Sequence, residues 1–427
     1  MVYVLNKNNL PLMPCSNVIA RLLLKQGKAR CIRRTPFTIK LKYDSTNYTQ
    51  ELIFGVDTGS KYIGSAVVTA KGEVVYIAQV EVRNNVTEKM KRRSMYRRNR
   101  RSRKTRYRKP RWLNRKNSIR KDRFSPTMTS KIDSHLKEIK FVKSILPITK
   151  VIIETATFDP HALKNPNVLN DKRLYQKGTN YGFANTKAFV LDRDSYTCQK
   201  CKAKHIKLEV HHIVHRKNEG SDDSENLICL CKECHDKVHT GTINLKKSGK
   251  VKGNLKHATQ MNSIRVQLLR RVECEETFGY ITKENRQLLG LPKEHYSDAI
   301  AIASQGNTVT FKTKNVLFKR CVSDGDYQRS KGVRSQLKIP TGKIRGFRKF
   351  DKVRYTGKEY FIKGRLSTGY CFLMDITGKS IDFNQYPKGY RMPKMINMKR
   401  ISSRKTWMVL ENKLRKVSEL IELEYIH

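Results

Sequence analysis

The stretch ELIFGVDTGSKYIGSAVVTAKGEVVYIAQVEV, Glu51 to Val82, decides how the chain is read. Its apolar and β-branched runs are broken by DTGS and AKGE, both turn signals. Three strands joined by short turns make a meander that begins a sheet. Asp57 then ends the first strand, at a glycine-containing turn.

Before the meander, NNLPLMPCS and VIARLLLKQGKAR hold short apolar runs, the second suited to a short helix, and together they read as a small capping module. After it comes KMKRRSMYRRNRRSRKTRYRKPRWLNRK, Lys89 to Lys116, where sixteen of twenty-eight residues are Lys or Arg and none is acidic. The run has no glycine and no proline before Pro110, so it can form a helix that Pro110 ends or kinks. Such charge runs are usually solvated tails at a terminus. This one lies inside the chain, between two strands.

Downstream, Ile132, Leu136, Ile139, Val142 and Ile145 recur at three- and four-residue steps, which predicts an amphipathic helix capped by Ser130. TKVIIETATF predicts a buried strand ending at Glu154. QMNSIRVQLLRRV and HYSDAIAIASQG read as helices around a strand at TFGYITK, where the sheet resumes. From Lys343 onward, short alternating strands broken by glycine turns suggest a separate small β-barrel.

The 427 residues are 38% hydrophobic, a low share that favours several small modules over one large core. A net charge of +52, from 89 Lys+Arg against 37 Asp+Glu, opposes compaction unless a polyanion neutralises it. Nucleic acid is the expected partner. The opening MVYVLNKNNLPLMPCS shows neither a long apolar span nor an amphipathic anchor, so a soluble intracellular protein with no membrane partner is expected.

Cys198/Cys201 and Cys231/Cys234 form two C-x2-C pairs, whose four thiolates suit a tetrahedral structural zinc. Cys15, Cys31, Cys229, Cys274, Cys321 and Cys371 read as isolated thiols. Between and around the pairs stand the doublet His211–His212, Asn226, and His235 with His239 one helical turn apart. An imidazole that titrates near neutrality beside a Lewis acid is the equipment of hydrolysis. The plainer alternative is a zinc finger that only binds. His135, His161, His205, His215, His257 and His427 fit no pattern and are expected to be structural or exposed.

Asp57 and Glu154 stand at strand ends, and His295 and Asp298 lie three apart on one helix face. Converging carboxylates can hold two divalent ions about 4 Å apart for phosphodiester hydrolysis. Each alone is an ordinary turn or surface acid.

In this order GVDTGSK, VIIE and HYSDAIA resemble the three split segments of a RuvC-type nuclease of the RNase H fold. That resemblance implies Asp57, Glu154 and Asp298 as metal ligands and His295 as a base. The cysteine and histidine island resembles the HNH, or ββα-metal, finger. There His212 would deprotonate water, His211, His235 and His239 would hold one Mg2+ ion, and Asn226 would orient the loop. With PLMP at 11–14 and GYITKENRQLLGLPKEHYSDA at 279–299, the whole chain resembles the IscB family of transposon-associated, RNA-guided DNA nucleases, relatives of the type II CRISPR effectors. Thr58 replaces the proline usual after the first aspartate, and Cys229 adds a thiol beside the zinc pair.

The resemblance implies a multidomain α/β architecture: a PLMP module at 1–48, RuvC segments at 49–85, 124–187 and 244–322, an Arg-rich bridge helix at 86–123, an HNH domain at 188–243, and a C-terminal β-barrel module at 323–427. The bridge arginines Arg92, Arg93, Arg97, Arg98, Arg100, Arg101, Arg103, Arg106, Arg108 and Arg111 would bind RNA. Mg2+ or Mn2+, Zn2+ and a guide (omega) RNA are the implied cofactors, and double-stranded DNA with a short flanking motif the implied target. The HNH domain would cut the guide-paired strand and RuvC the displaced one. The protein would be monomeric within a ribonucleoprotein in a prokaryotic cytoplasm, nucleoid-associated when bound to DNA. A protein-only HNH mobile-element endonuclease and a non-cleaving, zinc-containing RNA-binding protein are the competing classes. The histidine doublet and the carboxylates argue against the second.

Overall fold

The computed structural model describes residues 1–104, 123–218, 220–245, 255–323 and 343–413. The chain forms two compact units, residues 1–156 with 264–427, and residues 157–263. Among the described residues no helix is long and apolar enough to cross a membrane.

The first unit is built on an eight-stranded mixed sheet. The meander forms as its turns require: Leu52–Asp57, Tyr62–Thr69 and Glu73–Glu81 pair antiparallel in sequence order. All three are buried along most of their length, so they read as continuous apolar runs instead of half-exposed alternation. Lys150–Thr155 then adds parallel to Leu52–Asp57, and Glu275–Phe278 adds parallel to Lys150–Thr155. On the other side Asn315–Cys321 lies parallel to Glu73–Glu81, and Trp407–Lys413 pairs antiparallel with Asn315–Cys321.

Two smaller sheets complete this unit. Val2–Leu5, Pro11–Cys15, Ala29–Arg34 and Phe37–Leu41 form one, over the short helix Asn17–Lys25, which Ser16 caps. Lys352–Tyr355, Lys358–Arg365, Cys371–Met374 and Lys399–Ser402 form the other, an antiparallel sheet around Tyr355, Ile362, Leu373 and Phe383. The last strand among the described residues, Trp407–Lys413, leaves that module for the large sheet.

Two local expectations are corrected. The helix after the basic run spans Pro126–Lys143 and is capped by Ser125, whose hydroxyl accepts from the Met128 amide at 3.3 Å, not by Ser130. Pro126 at the first helical position, with its fixed φ and no N–H to satisfy, starts the helix early. At TFGYITK the strand stops at Phe278 and Gly279–Leu288 is helical. The basic run begins as a helix, Val86–Lys104, with Arg92, Arg93, Arg97 and Arg98 exposed. Arg106, Tyr107, Arg108, Pro110, Arg111 and Trp112 lie outside the described residues, as do the side chains of Arg100, Arg101 and Arg103.

The helix His295–Ser304 packs on the meander closely enough that a Cβ on Gly64 would sit 1.8 Å from the His295 carbonyl oxygen. Gly64→Ala must therefore push the start of that helix off the sheet. An overpacking cost of about 1–3 kcal/mol is expected, read as a lower urea midpoint at unchanged slope. An unchanged midpoint would show that the helix seat is softer than this contact implies.

Candidate metal centres

Strand register brings the first pair of carboxylates together. Asp57 and Glu154 are directly opposed across the parallel pair Leu52–Asp57 and Lys150–Thr155. The Thr58 hydroxyl, where a proline was expected, donates to the Glu154 carbonyl at 2.7 Å and ties the two strand ends. The helix on the meander supplies the rest: His295 Nδ1 stands 2.6 Å from Asp57 Oδ2, and its ring stacks on Tyr62 at 5.4 Å. Asp298, one turn on, is held by Arg286 Nε at 2.8 Å.

Burial, then the neighbouring Asp57, pushes the Glu154 carboxyl up to about 7, with Asp298 adding to the repulsion. Burial and Asp57 likewise raise Asp298 against the pull of Arg286. The hydrogen bond to Asp57 raises His295 above the ordinary imidazole value. Three acids whose charges oppose one another are oxygen donors of the kind Mg2+ or Mn2+ takes, and a divalent ion would relieve that opposition. Two of the three carboxylates are already engaged, Asp57 by His295 and Asp298 by Arg286. Arg286 and Tyr62 were not singled out from sequence. Arg286 lies nine residues before His295, a spacing that carries no signal of its own.

In the second unit, Leu208–His212 and Leu227–Cys231 form an antiparallel hairpin followed by the helix Lys232–His239. Cys231 closes the strand and caps the helix, its sulfur accepting from the Cys234 amide at 3.5 Å. Cys198, Cys201, Cys231 and Cys234 bring their sulfurs within 4.8 Å of one another. Burial works against the Cys198 thiolate, but amides from Cys201, Cys231 and Lys200 outweigh it and bring the thiol down to about 6. Burial raises Cys234 to about 12 in the same cluster. Four thiols so placed could hold zinc. Cys229 takes no part: its sulfur lies 3.5 Å from the Val190 carbonyl, in a separate apolar cluster.

Successive residues of a strand face opposite sides, so His211 and His212 cannot serve one ion together. His211 is buried and joins His235 and His239, the three offering nitrogens within 4.8 Å. Its Nε2 is buried without a hydrogen-bond partner, the orphaned atom a metal would satisfy. Burial, then the other imidazoles, hold His211 down to about 4, neutral and ready to ligate. An all-imidazole set is a poor match for Mg2+, which takes oxygen donors, and suits zinc, nickel or copper.

On the opposite face His212 Nε2 stands 2.8 Å from Asp222 Oδ1, and Arg216 Nε reaches the same oxygen at 2.6 Å. Asn226 is buried; its side chain bonds Val214 N and O at 2.8 and 2.9 Å and Ser221 O at 2.8 Å, clamping the loop after the doublet. Glu209 Oε2 lies 3.3 Å from His235 Nδ1. Asp222 and Glu209 were missed, as was His215, whose ring lies 5.1 Å from that of His211.

A family model described as HNH endonuclease matches residues 198–241, the stretch that carries both cysteine pairs and the histidines. The finger is an HNH endonuclease domain. A second model, described as RRXRR protein, matches residues 2–178, from the N-terminal sheet through the basic helix to beyond Glu154. The HNH domain and the RRXRR region together are consistent with a nuclease of the IscB and Cas9 type. Among curated proteins, Anaredoxin of Nostoc sp. (strain PCC 7120 / SAG 25.82 / UTEX 2576) is 34% identical over 56 residues, 13% of this chain and 74% of that protein. Over those 56 residues the two belong to one family.

Proposed function

We propose that this chain is an RNA-guided double-strand DNA endonuclease of the IscB family, with a RuvC-type centre in the large sheet and the HNH centre in the finger. The observation that carries the reading is the opposed pair Asp57 and Glu154, which the sequence separates by the basic helix and the sheet rejoins. An HNH domain in the same chain adds the second cutting centre.

In the HNH centre Asp222 accepts from Nε2 of His212, which leaves Nδ1 as the basic nitrogen for the proton of the attacking water. The carboxylate also stabilises the imidazolium once it forms, and Arg216 keeps Asp222 ionised. His211, His235 and His239 would hold a divalent ion, which supplies charge stabilisation at the scissile phosphate. Asn226 keeps the loop in place for both. In the RuvC-type centre Asp57, Glu154 and Asp298 would hold Mg2+ or Mn2+, and His295 relays protons at Nδ1 or Nε2. The four cysteines would hold a structural zinc.

Exposed arginines of Val86–Lys104 would grip RNA through phosphates, which requires no base reading. Sequence choice would then fall to base pairing, with the C-terminal module reading a short flank. Sequencing the RNA that co-purifies with the protein from its own locus tests this. One dominant structured RNA is expected, and replacing its guide segment should redirect cleavage to the matching DNA. Full sequence-specific cutting by an RNA-free preparation would falsify the guided reading and favour a protein-only nuclease.

A further inference from the structure

His215 obeys none of the spacings that mark the other histidines of the finger, yet the fold sets its ring beside theirs, just outside the group whose nitrogens lie within 4.8 Å of one another. Its ring centroid lies 5.1 Å from His211 and 5.7 Å from His239, against 4.5–4.9 Å among His211, His235 and His239. No pair among these rings is stacked flat: the interplanar angles run from 36° to 89°.

The loop that presents His215 is firmly built. Asn226 clamps the preceding Val214 through both its amide and its carbonyl. The His215 carbonyl accepts from Asn218 N at 2.8 Å and Gly220 N at 3.1 Å. Gly220 crosses so closely that a Cβ there would meet the Val214 oxygen at 1.8 Å. Nearby carboxylates are spent on other groups, Asp222 on His212 and Arg216, Glu209 on His235. Among the described residues, the His215 ring has other imidazoles as neighbours and no hydrogen-bonded acid.

We propose that His215 is a fourth imidazole ligand of the ion held by His211, His235 and His239. The finger then rests with a four-nitrogen site that takes a transition ion such as Co2+, Ni2+ or Zn2+ and discriminates against Mg2+. Catalytic sites keep one position for substrate, so His215 marks the ligand that a phosphate oxygen replaces. The inference rests on the reading of the other three histidines as ligands.

The test titrates the full chain, its cysteine site kept in zinc, with Co2+ under calorimetry and visible absorption. His215→Ala, His215→Asn and His239→Ala are run beside the parent chain, each with its zinc content matched to the parent so that the finger is folded. Both His215 variants are expected to bind Co2+ about tenfold more weakly or worse and to change the absorption of the bound ion. Parent-like affinity and spectrum in both would overturn the fourth ligand while the other three stand. Parent-like binding in His239→Ala would instead overturn the trio, and the proposal with it.

Discussion

His212→Ala is expected to lower cleavage of one DNA strand by about 10²–10⁴-fold, the usual worth of a positioned general base, while the other strand is still cut. The protein becomes a nickase. His212 is half-buried, lies on the strand face opposite His211 and, among the described residues, bonds the Asp222 carboxylate, so its loss removes no ligand of the trio. The complementary change is Asp57→Ala, which takes one of two opposed acids from the sheet and leaves the finger untouched. It should stop cleavage of the strand that His212→Ala spares. A single assay with the two strands labelled at opposite ends reads both variants. If either substitution stops both cuts while RNA is still bound, the two centres do not divide the strands.

How much of this was legible depends on whether a residue's partner is near in sequence. The meander was readable because each strand pairs with the next across a short turn. The cysteine pairs and the i, i+4 histidines were readable for the same reason: their spacing is local. That Asp57 faces Glu154 is a fact of register between strands 97 residues apart, and only the resemblance anticipated it. His215, Asp222 and Glu209 had no template, since the loop that gathers them takes its shape from the Asn226 clamp. The apolar periodicity points to Ser130 as the cap, but Pro126 with Ser125 sets the start one turn earlier. The last strand joins the large sheet by a pairing of Trp407 with Cys321 that no local pattern reveals.

Lys319 is the residue whose burial the sequence concealed, and its replacement carries the largest expected loss of stability. In NVLFKRC it stands in phase with Leu317 and Cys321, on the buried side of the strand. Its ammonium is fully enclosed, bonded to both Glu138 oxygens at 2.8 and 2.7 Å and to the Tyr76 hydroxyl at 2.6 Å, beneath Phe141 and Trp407. Tyr76 and Ser65 each donate to the same carboxylate. Lys319→Met leaves Glu138 buried without its cation, and about 3–5 kcal/mol should be lost. Adding Glu138→Leu removes the stranded charge but orphans the Tyr76 and Ser65 hydroxyls, each at about 1–3 kcal/mol. The double variant should therefore recover only part of the loss, and Lys319→Met/Glu138→Leu/Tyr76→Phe/Ser65→Ala most of it. Urea unfolding of the three variants decides the matter: a single variant within about 1 kcal/mol of the parent would mean that water reaches Glu138.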